Sequence, residues 1–202
     1  MNNLTTSKNL LIEAMDRQGI LTEEIKQAFL AIPREEFVPN EFKIHSYDDC
    51  ALPLEQGATL SQPSMLAIML NELRLQPGMK VLEVGSGSGY LLALMKAMGA
   101  NVTGVEIIES LAETSRKTLE KINLNIEVIT GDASTINFPE KFDRVVFSAA
   151  VREIPHWAIE LLNPDGFVLA PVGTQHEQQL IRAYQNSTQE TGRYCRFVPF
   201  IS

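Results

Sequence analysis

Apolar and polar positions follow different rhythms in the two parts of the chain, and the change falls near residue 63. Ser7 to Gln18 and Thr22 to Ile32 carry apolar residues at helical spacing, separated by Gly19 and closed by Pro33, which predicts two short helices. From PREEFVPNEF through SYDDCALPLEQGATLSQP neither period is sustained, and Pro33, Pro39, Pro53 and Pro63 punctuate the segment. A stretch of this length without periodicity is usually functional or disordered. Phe37, Val38, Phe42, Tyr47 and Leu52 favour an ordered, packed loop lining a site. After Pro63, apolar residues at positions 65, 66, 69, 70 and 73 mark an amphipathic helix.

From Lys80 the rhythm becomes strand, helix, strand. Strands are predicted from Lys80 to Val84, Val102 to Glu106, Ile126 to Thr130, Asp143 to Ser148 and Gly166 to Val172. Helices fall between them from Tyr90 to Met98, Glu109 to Ile122 and Pro155 to Leu162. That alternation predicts an α/β fold with a doubly wound, mostly parallel sheet. The ending differs: Gln179 to Tyr184 and Tyr194 to Phe200 flank the turn-rich NSTQETG, which predicts an antiparallel C-terminal hairpin. Two units are expected, residues 1–62 as a helical cap with a site-lining loop and residues 63–202 as the ligand-binding core.

The stretch VLEVGSGSGY runs from a strand into three closely spaced glycines, a loop that usually exposes backbone N–H groups to a ligand. Phosphate is the usual guest, but Glu83 stands two positions before Gly85 and would repel a pyrophosphate. The triphosphatase pattern GxxxxGK is absent, and the dinucleotide pattern GxGxxG fails because position 90 is Tyr90. What remains is acid, then Gly85, Gly87 and Gly89, then a second strand-end acid at Glu106, placed to accept hydrogen bonds from ribose hydroxyls. S-adenosylmethionine fits this pair: it has a ribose, no phosphate, and cationic ammonium and sulfonium groups. The competing reading is a plain tight turn with two exposed strand-end acids. Asp132 in TGDAS follows the third strand at the same sheet edge and is either an adenine contact or a turn residue.

Charge and composition narrow the partners. The 202-residue chain is 45% hydrophobic with a formal charge of −8, enough apolar content for a core and the wrong sign for an extended nucleic-acid surface. Cys50 and Cys195 form no CxxC or zinc spacing, so reduced thiols, no metal and a cytoplasmic location are expected. No signal-peptide pattern or membrane-length apolar run is present, so no membrane partner is expected. His45, His156 and His176 share no ligand spacing, Trp157 is expected to pack on the sheet, and Asp48 with Asp49 to form a solvated turn.

The segments PREEFVP, YDDCALPLEQGATLSQP, VLEVGSGSGY, FDRVVFSAAVREIP, LLNPDGFVLAPVG and RFVPF together resemble the protein-L-isoaspartate O-methyltransferases, across nearly the whole chain. The glycine loop is shared with methyltransferases in general, whereas ALPLEQGATLSQP and RFVPF are more specific to this family. The resemblance implies a Rossmann-like methyltransferase fold, S-adenosyl-L-methionine as cofactor, isoaspartyl-containing polypeptides as substrate and a monomer or weak homo-oligomer. Carried over by position, it places catalytic roles on Ser61 and Thr59, and cofactor contacts on Glu83, Gly85, Ser86, Gly87, Glu106, Asp132 and Ala133. Ser61 also has a simpler reading, as the N-cap of the helix beginning near Pro63. The family pattern P-I-G-x-G-Q-T-I-S departs here at Glu55, which replaces a glycine, and at Ala58, which replaces a glutamine; GDG becomes GDA at Ala133. Glu55 is expected to bring negative charge near an anionic substrate, and Ala58 to remove a contacting amide. A methyltransferase for another carboxylate or small molecule, and a non-catalytic cofactor-binding partner protein, are the alternatives these departures leave open.

Overall fold

A computed structural model describes residues 3–201. Two antiparallel helices, α1 (Asn3–Arg17) and α2 (Glu23–Ala31), open the chain, the second capped by Thr22, whose hydroxyl accepts from the Ile25 N–H. Short 3₁₀ turns over Arg34–Phe37 and Asn40–His45 follow. A two-stranded hairpin comes next, β1 (Leu52–Pro53) with β2 (Thr59–Leu60), closed by a turn over Glu55–Gly57 in which Gln56 takes positive φ. The aperiodic segment is therefore ordered, as its aromatic content predicts.

The core runs α3 (Pro63–Leu73), β3 (Lys80–Val84), α4 (Tyr90–Ala97), β4 (Asn101–Glu106), α5 (Glu109–Lys121), β5 (Glu127–Thr130), β6 (Phe142–Phe147), α6 (His156–Glu160), β7 (Leu162–Gly173), β8 (Gln178–Ala183) and β9 (Thr188–Cys195). Its seven strands form one sheet in the order β5-β4-β3-β6-β7-β8-β9, parallel from β5 to β7 and antiparallel at the last two pairings. Val81, Leu82, Glu83 and Val84 of the central β3 are all buried, the signature of a strand covered on both faces. The chain leaves β3 toward β4 and β5, then returns to β6 on its other side. Loops diverge at that reversal and open a crevice at the carboxyl ends of the strands.

One apolar cluster joins Met15, Ile25 and Phe29 of the first helices to α3 and to Tyr90, Leu91 and Leu94 of α4; a second fills the opposite face around Val84, Phe147 and Val168. Trp157 packs at 5.7 Å from Phe147, on the sheet as expected. No described helix is long and apolar enough to cross a membrane.

The C-terminal hairpin is present with a different register from the one its hydrophobicity suggests. The turn falls at Tyr184–Ser187, where the Tyr184 N–H donates to the Ser187 carbonyl, and β9 begins at Thr188 inside the stretch read as a turn. That strand is almost wholly exposed and polar, as edge strands often are, so no apolar alternation announced it. RFVPF lies beyond the hairpin. It folds back to Ala150, whose N–H donates to the Val198 carbonyl and whose carbonyl accepts from the Phe200 N–H, both at 2.8 Å.

Candidate active site

The site is assembled where β3 ends. To leave the sheet the chain takes positive φ at Gly85, Gly87 and Gly89, a conformation that a side chain at these positions would strain. The N–H groups of Gly85 and Ser86 both donate to the Val105 carbonyl, at 2.8 and 3.1 Å, and bind the loop to the end of β4. Glu106 then fastens it: Oε2 accepts from the Gly87 N–H at 2.7 Å and Oε1 from the Ile108 N–H at 2.9 Å.

Both strand-end acids are buried, Glu83 at 1% and Glu106 at 5% exposure, which overturns the reading of them as exposed strand ends. Glu83 Oε1 accepts from the Ser148 hydroxyl at 2.6 Å, while Oε2 has no hydrogen-bond partner. Burial pushes the Glu83 carboxyl up to about 8; the Ser148 hydrogen bond opposes the rise and the nearby Glu106 charge adds to it. Without a ligand, burial therefore favours the protonated form of Glu83.

A cavity of about 360 Å³ lies over the strand ends. Thr59, Gly85, Gly87, Glu106, Asp132 and Ala133 are among its walls, with Val198 to Ile201 closing it from the other side. A pocket of about 30 Å³ adjoins it, sharing Thr59, Gly85, Gly87 and Ser148 and reaching Ser61, Glu83 and Ser86. The structure thus brings every residue expected at the site to one of two adjoining spaces. Among the described residues no Lys, Arg or His lines either space, so none of their side chains would neutralise a phosphate. A buried acid with a free oxygen, a second acid beside the glycine loop and an apolar wall suit a cationic ligand bearing a ribose. The residues fit S-adenosylmethionine.

Several side chains do something other than expected. Gln62, not Ser61, is the N-cap residue of α3, and the Ser64 N–H is satisfied by Asp49 Oδ1 at 2.9 Å. Asp48 and Asp49 are both exposed in a bend, as expected; Asp48 pairs with His45, and Asp49 also serves as a helix-capping group. Asp132 does make a turn, Oδ1 accepting from the Ser134 N–H, and lines the cavity as well. Glu55 accepts from the Ser110 hydroxyl in the first turn of α5, at 2.7 Å. Its charge is thus engaged across the hairpin tip, whereas Ala58 does line the cavity.

Sequence reasoning missed three contributors. Ser148 directly follows β6, which lies next to β3 in the sheet, and a polar residue after an apolar strand was the available signal. Val198 to Ile201 reach the cavity only because the chain folds back to Ala150. Arg34, in the first 3₁₀ turn, is fully buried, with Nε donating to the Ser46 carbonyl at 2.9 Å and Nη2 to the Ser61 carbonyl at 2.8 Å; nothing in PREEFVP predicted its burial.

Known proteins resemble the chain over almost its full length. Residues 6–202 match the family model described as protein-L-isoaspartate(D-aspartate) O-methyltransferase. A protein-L-isoaspartate O-methyltransferase of Bradyrhizobium sp. is 38% identical over 191 residues, covering 92% of this chain and 89% of the relative. One from Hyperthermus butylicus is 40% identical over 189 residues, covering 86% and 78%. Among solved structures, a putative protein-L-isoaspartate O-methyltransferase of Plasmodium falciparum, in complex with S-adenosyl-L-homocysteine, superposes with a TM-score of 0.84 at 25% identity, covering 98% of each chain.

Proposed function

The chain belongs to the protein-L-isoaspartate(D-aspartate) O-methyltransferase family, and from that premise we propose that it transfers a methyl group from S-adenosylmethionine to the free carboxylate of L-isoaspartyl residues in polypeptides. The observation that carries the reading is that the two spaces at the strand ends share walls. Cofactor-type acids wall the larger, and the Thr59 and Ser61 segment lies where the two meet.

When bound, S-adenosylmethionine supplies an electrophilic methyl group on a positively charged sulfur. The chain's own work is to bind, orient and desolvate. Glu106, rigidly held by two backbone N–H groups, still has lone pairs to offer to ribose hydroxyls. Asp132 and Ala133 would hold the adenine, and Gly85, Ser86 and Gly87 would offer backbone to the ligand. Glu83, raised by burial, would favour its ionised form beside a cationic group of the cofactor. An acceptor carboxylate is already ionised at neutral pH, so no strong general base is required. The Thr59 and Ser61 hydroxyls orient that carboxylate, and catalysis rests on alignment and exclusion of water. Residues 1–62 act as the unit that covers the site, through the β1–β2 hairpin and the Ser61 segment.

We also place the protein in the cytoplasm as a monomer or weak homo-oligomer; both cysteines are free, in keeping with a reducing compartment. The deciding experiment incubates labelled S-adenosylmethionine with an isoaspartyl peptide and with the same peptide carrying normal aspartate. Label should pass to the first alone. Cofactor binding without transfer to the isoaspartyl peptide would refute the proposal.

A further inference from the structure

Arg34 is an arginine inside the protein, 0% exposed, with no carboxylate of the described residues within ion-pair distance. Its guanidinium lies over the Tyr90 ring, 5.0 Å from the centroid, and Phe37 and Phe29 pack against the same ring. Nε and Nη2 donate to the carbonyls of Ser46 and Ser61, and Nη1 has no partner. Burial pulls the guanidinium below its ordinary value, yet arginine keeps its charge inside proteins. A cation held this way costs stability that an apolar side chain of similar length would not. The position therefore calls for an account beyond packing.

Two neighbours indicate what the charge does. Ser61, whose carbonyl Arg34 holds, belongs to the segment that lines the small pocket. Tyr90 opens α4 at the position where a dinucleotide fingerprint would carry glycine, immediately after Gly89. Arg34 thus ties the segment carrying Thr59 and Ser61 to the helix that follows the glycine loop. The ionisable side chains lining the two spaces, Tyr90 apart, are the acids Glu83, Glu106 and Asp132. A cationic cofactor would offset part of that negative charge, and positive potential built in beside the acceptor's entry further favours an anionic acceptor.

We propose that Arg34 is a positioning residue for methyl transfer: it fixes the Ser61 segment against Tyr90 and supplies the positive potential that lets a carboxylate acceptor approach a site walled by acids. The inference rests on the carboxyl-methyltransferase reading. Arg34 lines neither space, and its link to the site runs through the Ser61 carbonyl it holds, so its effect should fall on the acceptor.

Arg34→Met and Arg34→Lys, assayed with an isoaspartyl peptide and S-adenosylmethionine, separate the roles. Arg34→Met should lower kcat/KM for the peptide roughly ten- to a hundredfold, the scale of a lost charge-assisted contact, with a raised peptide KM and cofactor Kd within about twofold of wild type. Arg34→Lys keeps the charge and loses the planar fork, so peptide KM should stay near wild type while kcat falls. A merely structural arginine would lose melting temperature, cofactor affinity and activity in step in both variants, with equal peptide KM, and that result overturns the proposal. Should Arg34→Met not fold, Arg34→Lys decides: unchanged kcat, or a peptide KM raised as far as tenfold, also overturns it. A wild-type protein that binds cofactor and leaves the isoaspartyl peptide unmethylated removes the acceptor assignment, a failure visible before any variant is made.

Discussion

Replacing Glu83 by Gln should stabilise the ligand-free protein and weaken its hold on cofactor, with both effects depending on pH. The carboxyl is buried and pushed up to about 8 from an ordinary 4.5. Between those values the folded protein holds a proton that the unfolded chain has released. The stabilisation that this proton represents is complete below about pH 4.5 and is lost progressively as pH rises to about 8. The interval of about 3.5 pH units, at 1.36 kcal/mol each, amounts to roughly 5 kcal/mol, of which roughly 3 kcal/mol is already lost at pH 7. Glutamine mimics the neutral acid: its oxygen can still accept from Ser148, and the pocket of about 30 Å³ beside it has room for one water to meet the amide. Urea denaturation of both proteins without ligand, from pH 4.5 to 8.5, should therefore show coincident stabilities at the acid end. They should diverge toward neutrality, with Glu83→Gln ahead by roughly 3 kcal/mol at pH 7, or about 6–12 °C in melting temperature for a chain of this size. Calorimetric titration with S-adenosylmethionine should show wild-type affinity rising with pH up to about 8, because a cationic ligand favours ionised Glu83, and an almost flat profile for the variant. Parallel stability curves for the two proteins would refute the reasoning, since every other titrating group is common to both.

Three further outcomes are expected. Glu106→Ala should weaken cofactor binding by about 1.5–3 kcal/mol by calorimetry, and it should also lower the melting temperature, because the N–H groups of Gly87 and Ile108 lose their acceptor. Gly87→Val should abolish cofactor binding in an otherwise folded protein: φ is +51°, which a β-branched residue resists, and the nearest atom to an added Cβ is Leu54 Cδ1 at 3.6 Å, so strain in the loop, not a clash with the protein, is the cause. Ser61→Ala should cut isoaspartyl kcat and kcat/KM with the melting temperature almost unchanged, because Asp49, and not Ser61, accepts from the Ser64 N–H at the start of α3; a large fall in stability with normal turnover would return Ser61 to a structural role.

The order of the core elements and the position of Glu83, Gly85, Gly87, Glu106 and Asp132 at one sheet edge are legible in the sequence, because strand period, glycine turn and strand-end acid are local signals and the parallel sheet aligns the strand ends. The family-specific segment around Ser61 is legible by resemblance. Only the tertiary structure decides which charges are hidden and what they meet. Glu83 looks like a strand-end acid until β6 sets Ser148 against it and the sheet is covered on both faces. Asp49 looks like a turn residue and nothing more until the chain brings it back to the N–H of Ser64, fifteen residues on. Arg34 carries no signal of burial in PREEFVP, yet the Ser46 and Ser61 carbonyls and the Tyr90 ring close around it. The last hairpin escapes the pattern because β9 is an exposed edge strand with no apolar face to announce it, and the fold-back of Val198 to Ile201 over the cavity depends on two hydrogen bonds to Ala150. Contacts between residues far apart in the chain leave no period in the sequence, and burial, which raises the Glu83 carboxyl and hides the Arg34 charge from water, is a property of the assembled fold.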